Sequence, residues 1–288
     1  MFEHCVVAGG TGEVGRMFAG RLADSGAQVL CLDPAASAPA ALADDIRAPG
    51  PEAARAIAAA DLVLLAVPEP VALDAIGPVT RLMRTDALFA DTLSVKGGIA
   101  ERLHALAPGI QAVGLNPMFA PSLPLPGRPV AAATVTDGPA VRAFLALIAG
   151  WGARVVEMSA QEHDALTAAQ QAATHAAVLA FGLALGELGA DVGALRATAP
   201  PPHRTLLQLL ARISSGTPEV YWDVQSGNPH AQAARRAVGH GLERLGRAVA
   251  SGDPSAFETL FEELRATLGE RHRTELADAC AELFAQLR

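Results

Sequence analysis

The sequence predicts a doubly wound α/β domain, residues 1–158, followed by an all-helical domain, residues 159–288. Three observations carry this expectation. Short apolar β-rich runs alternate with helix-like segments through the first half; a glycine-rich turn follows the first run; and the β-signal stops after about residue 158. In order, HCVVA (4–8) and AQVLCLD (27–33) are strand-like, with a helix-like segment between them. DLVLLAVP (61–68) is apolar without interruption, as expected of a strand buried on both faces of a parallel sheet. ALFADT (87–92), IQAVGLN (110–116) and RPVAAATVT (128–136) follow at strand–helix–strand spacing, and ARVVEMS (153–159) closes the sheet.

The second half begins with a capping box, Ser159-Ala-Gln-Glu162, which opens a helix expected to run to about Gly189. Later helix starts place proline just inside a capping residue, at Thr217-Pro218, Asn228-Pro229 and Asp253-Pro254. A helix of roughly 30 residues, apolar over much of its circumference, needs burial on most sides. A two-fold partner is the expected source of that burial, so the helical domain is expected to form a homodimer.

With 288 residues, 51% of them hydrophobic and 18% charged, the chain can fill two cores. Its net charge of -8 and the lack of any Lys/Arg cluster argue against nucleic acid and anionic membrane surfaces as partners. Cys5, Cys31 and Cys280 are odd in number and show no CxxC spacing, which fits thiols in a reducing cytoplasm and neither a disulfide frame nor a metal site. The apolar run AAVLAFGLALG (176–186) falls short of the ~20 residues that span a bilayer and reads as a buried helix. The opening MFEHCVVAGG is already strand-like, so no signal peptide is expected.

Gly10-Thr11-Gly12-Glu13-Val14-Gly15 follows the first strand and opens a helix, and Asp33 ends the second strand. Together these form a dinucleotide fingerprint. Gly10 is expected to make the tight turn, Gly12 to let the backbone approach the pyrophosphate, and Gly15 to let the helix pack on the strand. The helix N-terminus supplies free N–H groups to phosphate. Asp33 can accept both ribose hydroxyls and would repel a 2′-phosphate, which favours NAD over NADP. Val67 and Pro68 end the strand across the switch point, where the nicotinamide half is expected; a strand merely stopped by proline would read the same way. Ser94, in Asp91-Thr-Leu-Ser94-Val-Lys96, lies at the same sheet edge and is placed for the reacting centre, or else caps a helix. In GLNPMFAPS (114–122), Pro117 keeps Asn116 out of the helical region, so the Asn116 amide is held in one direction.

The segments GGTGEVGRMF, ADLVLLAVP, DTLSVKGG, GLNPMFAP, WGARVVEMSAQEHD, HRTLLQLLARI and EVYWDV, in that order along nearly the whole chain, resemble the prephenate and arogenate dehydrogenase family. The resemblance implies an N-terminal Rossmann domain and a C-terminal helical dimerisation domain. It implies oxidative decarboxylation of a cyclohexadiene dicarboxylate to an aromatic ring with NAD(P). It places Ser94 near the C4 substituent and the nicotinamide, Arg212 on a substrate carboxylate, and Arg204 in support of the same anion. His175 falls on the family's cleft histidine, though a satisfied histidine inside an apolar helix fits as well; His163 and Asp164 are read as structural. No mutase-like segment precedes the sheet and no regulatory domain follows the helices, so control through an attached domain is not expected.

One position departs from the resemblance. The family's loop begins with a histidine that takes the proton of the substrate's C4 hydroxyl, and this sequence has Asn116 there. An amide is no general base near neutral pH, but its oxygen accepts hydrogen bonds. A C4 amine needs no such base, because its lone pair expels the hydride and loss of CO2 then restores the ring. The expected substrate is therefore 4-amino-4-deoxyprephenate, yielding 4-aminophenylpyruvate for antibiotics built on p-aminophenylalanine. Prephenate or arogenate as substrate, and a non-catalytic dinucleotide sensor on the same fold, are the alternatives.

Overall fold

The computed structural model describes residues 2–36 and 41–286. The chain divides into two compact units, Met1–Thr167 and Ala168–Arg288. Among the described residues of the first unit, eight strands form one sheet: His4–Ala8 (β1), Gln28–Leu32 (β2), Ala41–Leu42 (β3), Leu62–Leu65 (β4), Leu88–Asp91 (β5), Gln111–Pro117 (β6), Pro129–Thr136 (β7) and Arg154–Glu157 (β8). Their order is β3-β2-β1-β4-β5-β6-β7-β8, and pairing is parallel except between β6 and β7. Successive strands are added outward from β1 to β3 on one side and then from β4 on the other, and this switch in order opens a crevice at the carboxyl ends of β1 and β4.

The strand sequences explain why both faces are covered. Val6 and Ala8 of β1, Val63 and Leu65 of β4, and Phe89 of β5 pack into one core, while Cys5, Val7, Leu62, Leu64 and Leu88 pack into another. Alternate side chains point to opposite faces, so an uninterrupted apolar run needs a layer on each side. Helices Glu13–Asp24 (α1), Pro51–Ala59 (α2), Glu69–Leu82 (α3), Gly97–Leu106 (α4) and Pro139–Gly150 (α5) supply those layers. The two-residue β3 was not expected from the sequence, since so short an edge strand carries no periodicity.

The capping box forms as expected. The Ser159 N–H and hydroxyl each donate to the Glu162 carboxylate at 2.8 Å, and the Glu162 N–H donates back to Ser159 Oγ at 3.1 Å. It opens Ala160–Thr167 (α6), which is followed by a π-helical stretch, Ala168–Ala173, and then by Thr174–Glu187 (α7). The unit boundary falls after Thr167, and not at the expected 158/159, because α6 is bonded into the sheet unit through Asp164, as described below.

The second unit continues with Val192–Thr198 (α8), Pro201–Ser214 (α9), Pro218–Ser226 (α10), Ala231–Ala250 (α11), Pro254–Leu268 (α12) and Glu270–Gln286 (α13). Asp253 caps α12 by accepting from the Ser255 N–H at 2.9 Å, whereas Thr217 makes no side-chain cap bond at α10. The expectation that the 176–186 run lies buried is not met within one chain. Val178 is the buried residue of α7, and Leu183 is 72% exposed. No single helix among the described residues is long and apolar enough to cross a membrane.

Candidate active site

Two clusters of predicted residues lie at the carboxyl edge of the sheet. The first is the glycine turn. The left-handed residue is Gly9, at φ 75°, and not Gly10. A Cβ on Gly9 would stand 2.1 Å from the Ala66 carbonyl oxygen, so only glycine fits there. Gly10 is required for a different reason: its Cβ would collide with the Cys31 side chain at 2.5 Å. The fingerprint template starts one residue too late to find Gly9. Gly15 follows the expectation, since a Cβ there would meet the Gly9 carbonyl oxygen at 2.1 Å and push α1 off the strand.

A cleft of about 340 Å³ opens beside this turn, and Gly9, Thr11, Gly12, Asp33, Val67 and Pro68 are among its lining. Gly10, Glu13, Val14 and Gly15 do not line it; they build the turn and the first turn of α1. Asp33 accepts from the Thr11 hydroxyl, from the Thr11 N–H at 3.3 Å and from the Ala35 N–H at 3.0 Å. Burial raises its pKa, but these donors outweigh burial and hold the carboxyl below the usual carboxylate range. The cleft thus carries a fixed anion at the end of β2. Ile46 and Arg47, which no sequence motif marked, also line it. The Arg47 guanidinium is forked onto Asp45 at 2.6 to 3.1 Å.

The second cluster ties the Ser94 loop to Asn116. Lys96, 1% exposed, donates from Nζ to Asp91 at 2.5 Å and to the Leu115 carbonyl oxygen at 2.6 Å. Burial lowers the lysine pKa, opposed chiefly by the Asp91 carboxylate. The backbone N–H groups of Lys96 and Gly97, at the start of α4, both donate to the Asp164 carboxylate at 2.8 Å. This side chain from α6 therefore serves as the N-cap that α4 does not provide for itself. Burial raises the Asp164 pKa, but the bonds from His163, Lys96 and Gly97 prevail and lower it overall.

His163 and Asp164 are buried, and the His163 ring lies 2.8 Å from Asp164 through Nδ1 and 3.0 Å from Asn116 Nδ2 through Nε2. Asn116 is itself within β6, paired opposite Ala131, so it is held by the sheet and not by a loop. Its amide nitrogen is committed to His163. Its Oδ1 has no hydrogen-bond partner among the described residues and is not one of their sealed-in unpaired atoms. Ser94 is half-buried on the loop that Lys96 anchors. Nothing local marks Lys96 for burial, and His163 reaches Asn116 from 47 positions away, beyond any local pattern.

In the helical unit, His175 on α7 packs edge-on against Tyr221 of α10, with ring centroids 5.0 Å apart. Its Nδ1 is buried without a hydrogen-bond partner. Burial, and then the nearby Arg212 charge, lower its pKa and so favour the uncharged ring. Arg212 lies in the last turn of α9 and is exposed, with Arg204 on the same helix. His175 and Arg212 are therefore neighbours in the helical unit, while Ser94 and Asn116 share the network of the sheet unit.

A family model described as prephenate dehydrogenase, nucleotide-binding domain, matches residues 18–127. A protein of Streptomyces pristinaespiralis described as 4-amino-4-deoxyprephenate dehydrogenase is 62% identical over 291 residues, spanning 100% of this chain and 98% of its own. The chain belongs to the prephenate dehydrogenase family. The chain is also similar to a T-protein of Enterobacter agglomerans, 29% identical over 279 residues, covering 95% of this chain and 70% of that protein. Among solved structures, the prephenate dehydrogenase from A. aeolicus in complex with hydroxyphenyl propionate and NAD+ superposes with a TM-score of 0.70 at 19% identity, over 96% of this chain and 99% of that one. The Synechocystis arogenate dehydrogenase follows at 0.68 and 17%, over 94% and 99%. At those identities both structures share the fold with this chain.

Proposed function

We propose that the chain catalyses the NAD-dependent oxidative decarboxylation of 4-amino-4-deoxyprephenate to 4-aminophenylpyruvate and CO2. The observation that carries the reading is Asn116: its amide nitrogen is fixed on His163, and its oxygen is left as an acceptor where the family has a basic histidine. The relative at 62% identity, named for this substrate, supports it.

The residues present fit a dinucleotide. Gly9, Thr11 and Gly12 line an open cleft where α1 begins, and Asp33 beside them is an anion able to accept two ribose hydroxyls. Thr11, Gly12, Asp33, Val67 and Pro68 would hold the cofactor. The chemistry a bound NAD would supply there is acceptance of the hydride lost from C4. The push for that loss comes from the amine lone pair, and the electrons of the departing carboxylate restore the aromatic ring. No O–H proton has to be removed, so the site needs an acceptor that orients the amine, and Asn116 Oδ1 supplies one. Ser94, fixed by the Lys96 anchor, is assigned a hydrogen bond near the C4 substituent. Arg212 offers a planar, permanently charged fork for a substrate carboxylate. His175, packed on Tyr221 near the Arg212 charge, is assigned to the substrate cleft on the strength of the family resemblance.

We further infer a homodimer through the helical unit. Phe261, Leu264, Leu268, Leu276 and Leu283 on α12 and α13 are all more than 40% exposed in a single chain, and neither helix buries a residue. A chain with three free thiols suits the cytoplasm. The decisive test is turnover of 4-amino-4-deoxyprephenate against prephenate, followed by NADH absorbance. Faster turnover of the amine is expected; a preference for prephenate would overturn the substrate assignment, and no turnover of either would favour a sensor.

A further inference from the structure

We infer that His163 is a positioning residue for Asn116: through a one-way chain of hydrogen bonds it fixes which end of the Asn116 amide is left for substrate. The inference rests on the proposed amine substrate and adds a residue that acts through Asn116 without touching the reacting atoms.

The direction of the chain is set at its buried end. Two backbone N–H groups at the start of α4 donate to Asp164, which holds that carboxyl ionised and therefore an acceptor. The ring nitrogen 2.8 Å away, His163 Nδ1, must then carry the proton. In the uncharged ring that leaves a lone pair on Nε2, and the amide meets it with the matching donor, Nδ2 at 3.0 Å. The flipped amide would set two acceptors against each other inside a closed network, where His163 is 0% exposed. Nδ2 is accordingly turned inward and Oδ1 is the end left over. The Lys96 bond to the Leu115 carbonyl holds the backbone one residue earlier, so the amide cannot relax by moving the strand end.

The consequence is chemical. A fixed Oδ1 accepts an amine N–H while leaving the nitrogen lone pair free for expelling hydride. A freely flipping amide would offer N–H to the substrate part of the time. A hydroxyl, with two lone pairs, tolerates that better than an amine whose single lone pair is needed for the reaction. Releasing the amide should therefore cost the amine substrate more than the hydroxyl substrate.

Two isosteric variants separate positioning from mere structure. His163→Gln can place a carbonyl oxygen where Nε2 stood and keep an acceptor for Asn116. His163→Asn can keep a donor toward Asp164 but cannot reach Asn116. Expected is a two- to tenfold fall in kcat for 4-amino-4-deoxyprephenate, as an order of magnitude, in His163→Asn, with the KM for NAD unchanged and the amine-to-prephenate ratio reduced. His163→Gln should recover most of both. A folded His163→Asn enzyme with the wild-type kcat and ratio would overturn the inference, as would a folded His163→Gln no better than His163→Asn. If either variant fails to fold, nitrogen NMR of wild-type protein decides: the Nδ1–H tautomer of His163 is expected, and a proton on Nε2 overturns the inference. A wild-type preference for prephenate would defeat the proposed substrate, while the tautomer would still decide whether His163 orients the amide.

Discussion

Replacing Asp164 by Ala removes the group on which both halves of the sheet-edge network depend. The lost carboxylate leaves the Lys96 N–H, the Gly97 N–H and the His163 Nδ1–H without their shared acceptor, each from 2.8 Å. A hydrogen bond to a charged group is worth about 1.5–3 kcal/mol net, but three bonds to one carboxylate do not add, and water can enter the space left behind. A loss of about 3–5 kcal/mol is the expectation. For a unit of this size that lowers the melting temperature by roughly 10 °C, read by circular dichroism. Asp164→Asn keeps one acceptor oxygen and should fall between. The pH dependence has a definite sign. Because the folded pKa of Asp164 is lowered, its contribution is complete above the ordinary carboxylate value near 3.9, taken as about 4, and is lost as pH falls through the folded value. The gap between wild type and Asp164→Ala should hold from about pH 5 to 8 and shrink below about pH 4. A gap under about 1 kcal/mol at neutral pH would refute the assignment of Asp164 as the cap of α4.

Three further outcomes follow from the same structure. Asp33 should give NAD the higher kcat/KM, Asp33→Ser should narrow the gap, and adding Asp45→Ala should narrow it more by freeing Arg47 within the cleft; equal values for both cofactors in wild type would contradict this. Arg212→Ala should raise the KM for substrate while leaving NAD binding intact, since it removes the forked charge assigned to a substrate carboxylate; an unchanged KM would move the anion site, with Arg204 tested next. Light scattering at micromolar concentration should give twice the 29.5 kDa chain mass, and a stable, active monomer would remove the role given to the exposed faces of α12 and α13.

The sheet was legible because its strands are continuous apolar runs bounded by turn residues, as DLVLLAVP shows. The capping box at Ser159 was legible for a local reason: its partners stand three residues apart. Gly9 escaped because positive φ is a property of the turn and not of the spacing that marks the fingerprint. The Asn116 to His163 contact escaped because it joins β6 to α6, and no local pattern encodes which histidine a strand end will meet. No local pattern marks Lys96 for burial; the fold shows that Asp91 pairs its charge in the interior and that the Leu115 carbonyl accepts from it. The π-helical stretch at Ala168–Ala173 also has no sequence signal that we can name.

The measurement that bears most directly on the central claim is kcat/KM for 4-amino-4-deoxyprephenate and for prephenate in wild type and in Asn116→His. The wild-type enzyme should favour the amine. Asn116→His restores a base for a hydroxyl proton and should move activity toward prephenate, with general-base assistance typically worth 10²–10⁴-fold as the upper range of the gain. If the wild type favours prephenate, the claim that Asn116 marks an amine substrate is wrong.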